Sequence, residues 1–290
     1  MNVLIDLHSH STASDGTDTP GRVVALAAAD GIDVIALTDH DTVAGWDDAT
    51  AAAERLPDIA LVRGMEMSCV GDGQDGRPVS LHLLAYLFDP DQPDLAAERD
   101  RVGSDRPRRL RRMAELMRDD GLPVDPDDLP TDNDSIGRPH LAGLLVRAGV
   151  VDSLDEAFRR YLRSDGPYHV AKAETPLDEA VALVRRAGGV SVLAHGRAAR
   201  RGRLLATEHI ERLAAAGALD GVEVDHPDHD ASDAAELRDL AERYDLVVTG
   251  SSDYHGANKT TPLGARTTAP EQYRRLVERA HGVAVIGGRG

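Results

Sequence analysis

The sequence predicts an α/β fold, in which a barrel-like sheet is covered by helices and a small helical segment is inserted. Runs of β-branched and other apolar residues alternate along the chain with helical patterns rich in alanine, leucine and arginine. The apolar runs are continuous, as is typical of strands in a parallel sheet that is buried on both faces. About seven such units within 290 residues favour a closed barrel over an open sheet.

The predicted strands and helices follow one another in chain order. The strands are Val3–Leu7, Ile32–Leu37, Ile59–Val62, Ser80–Leu87, Val190–Leu193, Gly221–Val224 and Leu246–Thr249. The helices are Gly21–Ala29, Val43–Arg55, Leu177–Ala187, Glu208–Ala215, Ala231–Arg243 and Pro270–Ala280. The first helix has clear end signals, because Thr19 can cap it, Pro20 suits its first position and Gly31 follows its end.

One region breaks this alternation, because it shows helical patterns but no convincing strand. Its predicted helices are Arg106–Asp120, Pro139–Ala148 and Leu154–Arg163. We therefore expect a barrel domain formed by residues 1–98 and 168–290, and an inserted helical subdomain formed by residues 99–167. The active site of a parallel barrel lies at the C-terminal ends of its strands, so we expect the insertion to lie over that mouth.

The composition excludes several classes of protein. No apolar run approaches the roughly 18 residues that a membrane-spanning helix needs, and no signal-peptide pattern precedes the first strand. Cys69 is the only cysteine, which excludes an internal disulfide and a cysteine-rich zinc site and favours the cytoplasm. The net charge of −17 argues against a broad nucleic-acid-binding surface. Nothing in the sequence indicates an obligate protein partner.

Side chains that can bind metal ions stand at the ends of the predicted strands. His8 and His10 follow the first strand and face the same side of it, because they are two residues apart. Neutral imidazole is among the commonest metal ligands. The later strand ends add Asp15, Asp39, His40, Asp41, Glu66, His82, His195, Glu223, Asp225, His226, Asp253 and His255. The sequence therefore predicts a metal site at one end of the barrel.

The number of these groups exceeds what a single ion can use, since a zinc ion takes about four protein ligands. Two or three ions that share a carboxylate would use most of them. Mixed imidazole and carboxylate ligands suit Mn²⁺, Fe²⁺ or Zn²⁺ better than Mg²⁺ or Ca²⁺. Clustered divalent ions suit the hydrolysis of phosphate esters, because they can activate a hydroxide and neutralise the phosphoryl oxygens.

The motifs at the strand ends resemble those of the PHP family, the polymerase-and-histidinol-phosphatase phosphoesterases. The matching stretches are Asp6–His10, Ser14–Thr17, Leu37–Asp41, Gly64–Glu66, Leu81–His82, Leu193–His195 and Gly250–Gly256. The resemblance implies a distorted (β/α)7 barrel with three divalent ions, for which we expect Mn²⁺, with Fe²⁺ or Zn²⁺ as alternatives. Gly196 departs from the family pattern, which usually has a proline after the fifth-strand histidine.

The resemblance also implies which residues hold each ion. The first ion would be held by His8, His10, Glu66 and Asp253. The second would be held by His82 and His195, with Glu66 as a bridge. The third would be held by Asp15, His40 and His255.

Four further residues are candidates for substrate binding. The segment from Gly137 to His140 resembles a segment of the PHP subgroup that acts on nucleotides, which implies that Arg138 and His140 contact a phosphate; an ordinary exposed helix start is the alternative. Lys172 resembles a substrate-side lysine of that subgroup, or is a solvated surface residue. His226 is not needed as a ligand, so it is our candidate for proton transfer or phosphate contact, with a structural turn residue as the alternative.

Two carboxylates near the predicted ligands have open roles. Asp6 shares a strand face with His8 and could orient a ligating imidazole; alternatively it caps or bonds a loop. Glu223 could likewise orient a ligating residue without binding the ion itself.

These observations predict a metal-dependent phosphoesterase whose substrate is a phosphorylated nucleotide. By resemblance, the substrate is a 3′,5′-nucleoside bisphosphate, such as 3′-phosphoadenosine 5′-phosphate, or a short 5′-phosphorylated RNA, attacked by a metal-activated hydroxide. The alternatives are a histidinol-phosphate phosphatase, a metal-dependent amidohydrolase and a non-catalytic PHP accessory module. His82 stands where the amidohydrolases commonly have a modified lysine, and the complete ligand set opposes the accessory module.

Overall fold

The structure is a computed structural model that describes residues 3–129, 137–163 and 166–288, without the side chain of Arg201. The chain divides into two compact units. The first contains residues 1–98 and 174–290, and the second contains residues 99–173. The second unit thus ends at residue 173, whereas the predicted insertion ends at 167. That each unit is an independent domain, and that the insertion covers the barrel mouth, stay predictions.

A nearly closed sheet forms the first unit. Its strands are β1 (Ile5–Asp6), β2 (Val34–Leu37), β3 (Ala60–Asp72), β4 (Pro78–Tyr86), β5 (Thr175–Pro176), β6 (Val190–Leu193), β7 (Gly221–Asp225), β8 (Val247–Gly250) and β9 (Ile286–Gly287). Seven of them pair in the order β1-β2-β3-β4-β6-β7-β8. A parallel bridge between Ser9 and Tyr254 joins the segments that follow β1 and β8. This arrangement confirms the predicted distorted (β/α)7 barrel.

The fourth strand corrects the prediction of a parallel sheet. β4 runs antiparallel to both β3 and β6, and β3 extends to Asp72 to pair with it. The connection is a tight hairpin, which can join only antiparallel strands. The dipeptide Asp75-Gly76, in which Gly76 has a φ of 75°, is the turn signal that indicates this hairpin in the sequence. Because β4 is reversed, its first half lies beside the C-terminal ends of the parallel strands.

Helices follow most strands of the barrel. Among the described residues they are α1 (Pro20–Ala29), α2 (Trp46–Ala53), α3 (Pro93–Asp119), α4 (Arg138–Arg147), α5 (Leu154–Arg160), α6 (Leu177–Arg186), α7 (Thr207–Ala215), α8 (Ala231–Arg243) and α9 (Pro270–Arg279). Thr19 caps α1 as predicted, since its hydroxyl accepts a hydrogen bond from the Arg22 N–H. α3 begins at Pro93 and continues through Pro107, so the predicted start at Arg106 is wrong. A proline is more common in the first turn of a helix than in its interior.

Alternate residues of each barrel strand enter different cores. In β2, Val34 and Ala36 pack into an inner cluster that also contains Val62 and Val192, whereas Ile35 packs with residues of α1 and α2. This period of two places one row of side chains inside the barrel and the other under the helices. A filled interior leaves the strand ends as the place for a site.

The second unit has its own core. Leu110 and Met113 of α3 pack with Leu141 and Leu145 of α4, together with Ala157 of α5. None of the helices in the described part of the chain is long and apolar enough to cross a membrane.

Candidate metal centre

The nine predicted ligands belong to the first unit and gather at one end of its barrel. His8 and His10 follow β1, His195 follows β6, and Glu66 and His82 lie within β3 and β4. The remaining four are in the loops after β1, β2 and β8: Asp15, His40, Asp253 and His255. Their imidazole and carboxylate groups are buried or half-buried. The reversed β4 brings His82 to this end because His82 pairs with Ser68, just beyond Glu66.

Glu66 is the centre of the group, and one of its oxygens faces three imidazoles. Its Oε2 lies 3.1 Å from His8 Nε2 and 3.0 Å from His10 Nε2. His40 Nδ1 lies 3.3 Å from the same oxygen. The two nitrogens His8 Nε2 and His10 Nε2 are themselves 3.0 Å apart. Four potential ligand atoms therefore converge on one point.

The other oxygen of Glu66 faces a different pair of imidazoles. Its Oε1 lies 2.7 Å from His82 Nδ1 and 3.0 Å from His195 Nε2. A carboxylate whose two oxygens address separate sets of nitrogens can bridge two ions. This division is the arrangement that the family resemblance implies for Glu66.

Two aspartates complete the group. Asp253 Oδ1 lies 3.5 Å from the Nε2 atoms of His8 and His10. Asp15 lies 3.3 Å from His255 Nε2 through Oδ1 and 3.7 Å from His40 Nε2 through Oδ2. Among the described residues, potential ligand atoms within 4.8 Å of one another form three overlapping sets: His8, His10, Glu66 and Asp253; His10, Asp15, His40 and His255; and His40, Glu66 and His82.

The spacing of these atoms fits divalent ions. Two ligands held about 2.1 Å from one tetrahedral ion lie roughly 3.4 Å apart. The separations between facing nitrogen and oxygen atoms run from 2.7 to 3.7 Å. Burial alone would lower the pKa of His10, but the carboxylates of Asp253 and Glu66 raise it to about 9. The surrounding acids thus favour positive charge at this point, which a divalent ion can supply.

In His8 and His255, the hydrogen bond made by the ring nitrogen that points away from Glu66 and Asp15 also fits metal binding. His8 Nδ1 lies 3.1 Å from Glu223 Oε1, an acceptor, so this nitrogen carries the proton. His255 Nδ1 lies 2.9 Å from the Asp253 carbonyl oxygen and carries its proton for the same reason. In the neutral rings the Nε2 lone pairs then face the oxygens of Glu66 and Asp15. A lone pair that faces a carboxylate oxygen is repelled unless a proton or a metal ion lies between them, so this arrangement fits a bound divalent ion.

Asp39, Asp41 and Asp6 are buried and hold the loops that carry these groups. Asp39 accepts hydrogen bonds from the Ser11 N–H at 2.7 Å and from the Ser11 and Ser14 hydroxyls. Asp41 accepts from the N–H and hydroxyl of Ser68 at 2.6 and 2.7 Å. These contacts give Asp39 and Asp41 supporting roles.

Asp6 also holds loops in place by accepting backbone hydrogen bonds. Its Oδ1 accepts from the N–H groups of His8 and Ser252, and its Oδ2 accepts from the Gly264 N–H. Of the two roles left open by the sequence, these backbone contacts favour the loop-bonding one.

Glu223 supports two predicted ligands from outside. Its Oε2 accepts a hydrogen bond from the His195 N–H at 2.7 Å, while its Oε1 accepts from His8 Nδ1 and from the Ser251 hydroxyl. Glu223 has no solvent exposure. Burial alone would raise the pKa of Glu223, but the nearby His8 ring holds it below its ordinary value. The group is therefore an anionic acceptor that fixes both the ring and the backbone of ligand positions.

We expect Glu223→Gln to weaken Mn²⁺ binding by about 10- to 100-fold, the usual cost of removing a partner of a ligand. In either orientation the new amide NH₂ would face a donor, either His195 N–H or His8 Nδ1–H. Calorimetric titration of the metal-free protein with Mn²⁺ measures the change. Glu208→Gln, on the exposed face of α7, is the matched control. Equal Mn²⁺ affinity in the two variants would contradict the prediction.

Three of the predicted substrate contacts belong to the second unit. The Arg138 guanidinium donates to the Leu162 carbonyl oxygen at 2.9 Å and lies 5.5 Å from the centre of the Phe158 ring. His140 Nδ1 accepts a hydrogen bond from the Gly137 N–H at 3.0 Å and so caps α4. Lys172 is half-buried. Their contact with a substrate stays a prediction, and the capping bond favours the structural alternative for His140.

His226 and Lys259 lie against the metal-binding group. His226 Nε2 is 3.3 Å from Asp253 Oδ2, and Lys259 Nζ is 2.6 Å from the same oxygen. The sequence predicts proton transfer or phosphate contact for His226, whereas Lys259 is not among the predicted site residues. The signal was available, because Lys259 is one of two lysines in the chain and follows His255 by four residues.

A match between this chain and a known domain family identifies the family to which it belongs. The domain family described as PHP domain matches residues 6–249. This span contains every strand-end motif except that of Asp253 and His255. The chain belongs to the PHP family.

Similar PHP relatives act on phosphate esters. A 3′,5′-nucleoside bisphosphate phosphatase from Chromobacterium violaceum is 35% identical over 254 residues, which cover 87% of each protein. A 5′-3′ exoribonuclease from Haemophilus influenzae is 32% identical over 258 residues, or 88% of this chain and 91% of that protein. A phosphoribosyl 1,2-cyclic phosphate 1,2-diphosphodiesterase from Eggerthella lenta is 35% identical over 280 residues, or 91% of this chain and 99% of that protein.

The PHP barrel also matches a solved structure. A protein from Bifidobacterium adolescentis superposes with a TM-score of 0.88 at 35% identity, and the alignment covers 96% of both chains. The fold of this chain therefore agrees with both its sequence pattern and its relatives.

Proposed function

We propose that this PHP protein is a metal-dependent phosphoesterase that removes phosphate from a small nucleotide, with a 3′,5′-nucleoside bisphosphate as the first candidate substrate and short 5′-phosphorylated RNA as a related one. The observation that carries the proposal is the convergence of six imidazoles and three carboxylates, with Glu66 at their centre. A phosphoester hydrolase is the class that the family and its relatives support. The chemistry suits the cytoplasm, where such nucleotides occur.

Three Mn²⁺ ions are our proposal for the cofactor. The first would be held by His8, His10, Glu66 and Asp253, the second by Glu66, His82 and His195, and the third by Asp15, His40 and His255. When bound, such ions lower the pKa of water and neutralise phosphoryl oxygens. The chain's part is to hold the ligands in place: Glu66 fixes the distance between two sets of imidazoles, and Glu223 fixes the ring of His8.

Arg138 is the candidate for holding the second phosphate of the nucleotide. A guanidinium at the N-terminus of a helix suits a phosphate, because its planar donors and the helix N–H groups both favour anions. Burial removes water from the Arg138 guanidinium, which lowers its pKa. Such a contact would orient the substrate.

A panel of phosphate esters and simple carboxamides assayed with Mn²⁺ tests the proposal. We expect 3′-phosphoadenosine 5′-phosphate to give the highest kcat/KM, by at least about tenfold over histidinol phosphate, which lacks a second phosphate to contact Arg138. Every activity must disappear in His8→Ala with folding retained, which excludes a contaminating phosphatase. Preference for histidinol phosphate would overturn the substrate assignment. Hydrolysis of amides alone would overturn the reaction class, and inactivity on all of them would favour the accessory module.

A second candidate substrate is a cyclic phosphodiester of ribose. The Eggerthella lenta relative, whose name specifies such a substrate, is as similar in identity as the phosphatase and is matched over nearly its full length. A ribose 1,2-cyclic phosphate therefore belongs in the same panel. A higher kcat/KM for this compound than for the bisphosphate would favour the second candidate.

A further inference from the structure

The two oxygens of Asp253 have different neighbours. Its Oδ1 faces the centre, 3.5 Å from the Nε2 atoms of His8 and His10. Its Oδ2 faces outward to His226 and Lys259. Asp253 has a φ of 51°, a backbone conformation that non-glycine residues rarely adopt. The surrounding contacts must therefore hold this residue in place.

The hydrogen bonds of His226 assign its proton to one nitrogen. Its Nδ1 lies 3.0 Å from the Asp228 backbone nitrogen, which is a donor, so Nδ1 accepts. Nε2 then carries the proton of the neutral ring and donates to Asp253 Oδ2. The side chain is 1% exposed. Both ring nitrogens are thus engaged with the protein.

A strand irregularity aims His226 at this carboxylate. The pairing of β7 with β8 shifts between Glu223 and Asp225, as at a β-bulge, which redirects the side chains that follow. Glu223 and His226 therefore both face the metal-binding group, although they are three residues apart. Asp225 instead forms an ion pair with Arg238.

Lys259 is the second donor to the same oxygen. Its Nζ lies 2.6 Å from Asp253 Oδ2 and 3.4 Å from the Asp253 carbonyl oxygen. The turn before it is fastened to the loop after β1, because the Ala257 N–H donates to the Thr17 hydroxyl at 2.8 Å. The side chain is about one-third exposed, so the ammonium group keeps contact with water.

We propose that His226 is a positioning residue, which fixes Asp253 so that only Oδ1 is presented to the ions. This inference rests on the proposed metal centre. Donors on Oδ2 keep the carboxylate from rotating and from binding an ion through both oxygens. His226 then acts through Asp253, in place of the proton transfer or phosphate contact that the sequence suggested.

Two substitutions distinguish the role of His226 Nε2 from the role of His226 Nδ1. In His226→Gln the side-chain amide nitrogen occupies the place of Nε2 and can still donate to Asp253. In His226→Asn the side chain reaches only as far as Nδ1, so it can accept from the Asp228 N–H but cannot reach Asp253. The exposed His281 gives the matched control, His281→Gln.

Calorimetric titration of each metal-free protein with Mn²⁺ is the primary measurement, and kcat and KM are measured at saturating Mn²⁺. We expect about 10- to 100-fold weaker Mn²⁺ binding in His226→Asn. The Mn²⁺ affinities of His226→Gln and His281→Gln should stay within about threefold of that of the unsubstituted protein, a much smaller change than the loss expected in His226→Asn.

Two outcomes would overturn the proposal. Unchanged Mn²⁺ affinity in both His226 variants, with kcat lost in both, would return His226 to proton transfer or phosphate contact. Rescue by asparagine and not by glutamine would show that only the bond to Asp228 matters. If the unsubstituted chain binds none of Mn²⁺, Fe²⁺ and Zn²⁺, the metal centre is refuted, and with it both this proposal and the proposed function.

Discussion

Glu66→Gln is expected to reduce phosphoesterase activity by more than the roughly 100-fold that a supporting residue costs. The substitution keeps the shape of the side chain but replaces one oxygen by an NH₂ group. Either Oε1, which faces His82 and His195, or Oε2, which faces His8 and His10, is then lost as an acceptor. No other carboxylate in the group is placed between these two sets of imidazoles.

Metal content distinguishes this effect from a general loss of structure. We expect the variant to retain about one ion fewer per chain after dialysis, because one of the two ions proposed to share Glu66 then loses one of its few protein ligands. Elemental analysis gives the ion count, and far-UV circular dichroism gives the fold. Glu271→Gln, at an exposed position of α9, is the matched control. Full activity and full metal content in Glu66→Gln would contradict the bridging role.

Removal of metal is expected to abolish activity and lower thermal stability. Each ion present at a hundredfold excess over its dissociation constant stabilises the folded chain by about 2.7 kcal/mol. For a chain of this size one such ion raises Tm by roughly 4 °C. Calorimetric melting of chelator-treated protein, with and without added Mn²⁺, measures the shift.

The choice of ion provides the control for this prediction. Mg²⁺ prefers oxygen ligands, so a group dominated by imidazoles should bind it weakly. We expect Mg²⁺ at the same concentration to restore little activity and to shift Tm less than Mn²⁺. Equal melting temperatures with and without Mn²⁺ would show that the group does not bind Mn²⁺, and the same result with Fe²⁺ and Zn²⁺ would show that it holds none of these ions.

The position of the site followed from the sequence because it depends on strand ends. Apolar runs end just before His8, His40 and His195, and strands of one barrel bring such ends together. Only the presence of strands is needed for this prediction. The wrong direction of the fourth strand did not affect it, because His82 lies at the middle of β4, where it pairs with Ser68 just beyond Glu66.

The contacts around the site could not be predicted in the same way, since they depend on local departures from regular geometry. The β7 irregularity turns His226 toward Asp253, which a regular strand with a period of two would not do. His195 and Asp253 have φ angles of 32° and 51°. Lys259 reaches the centre from a loop, and no periodic pattern marks such a residue.

The aspartates that bond the ligand loops have a consequence for the kinetics of metal entry. Asp6, Asp39 and Asp41 hold these loops through backbone and serine donors that need no ion. The loops that carry the predicted ligands are therefore shaped during folding, and an arriving ion would exchange its water shell for ligands already in place. Loading should be limited by diffusion and dehydration, with the binding energy retained as affinity because little chain entropy is lost.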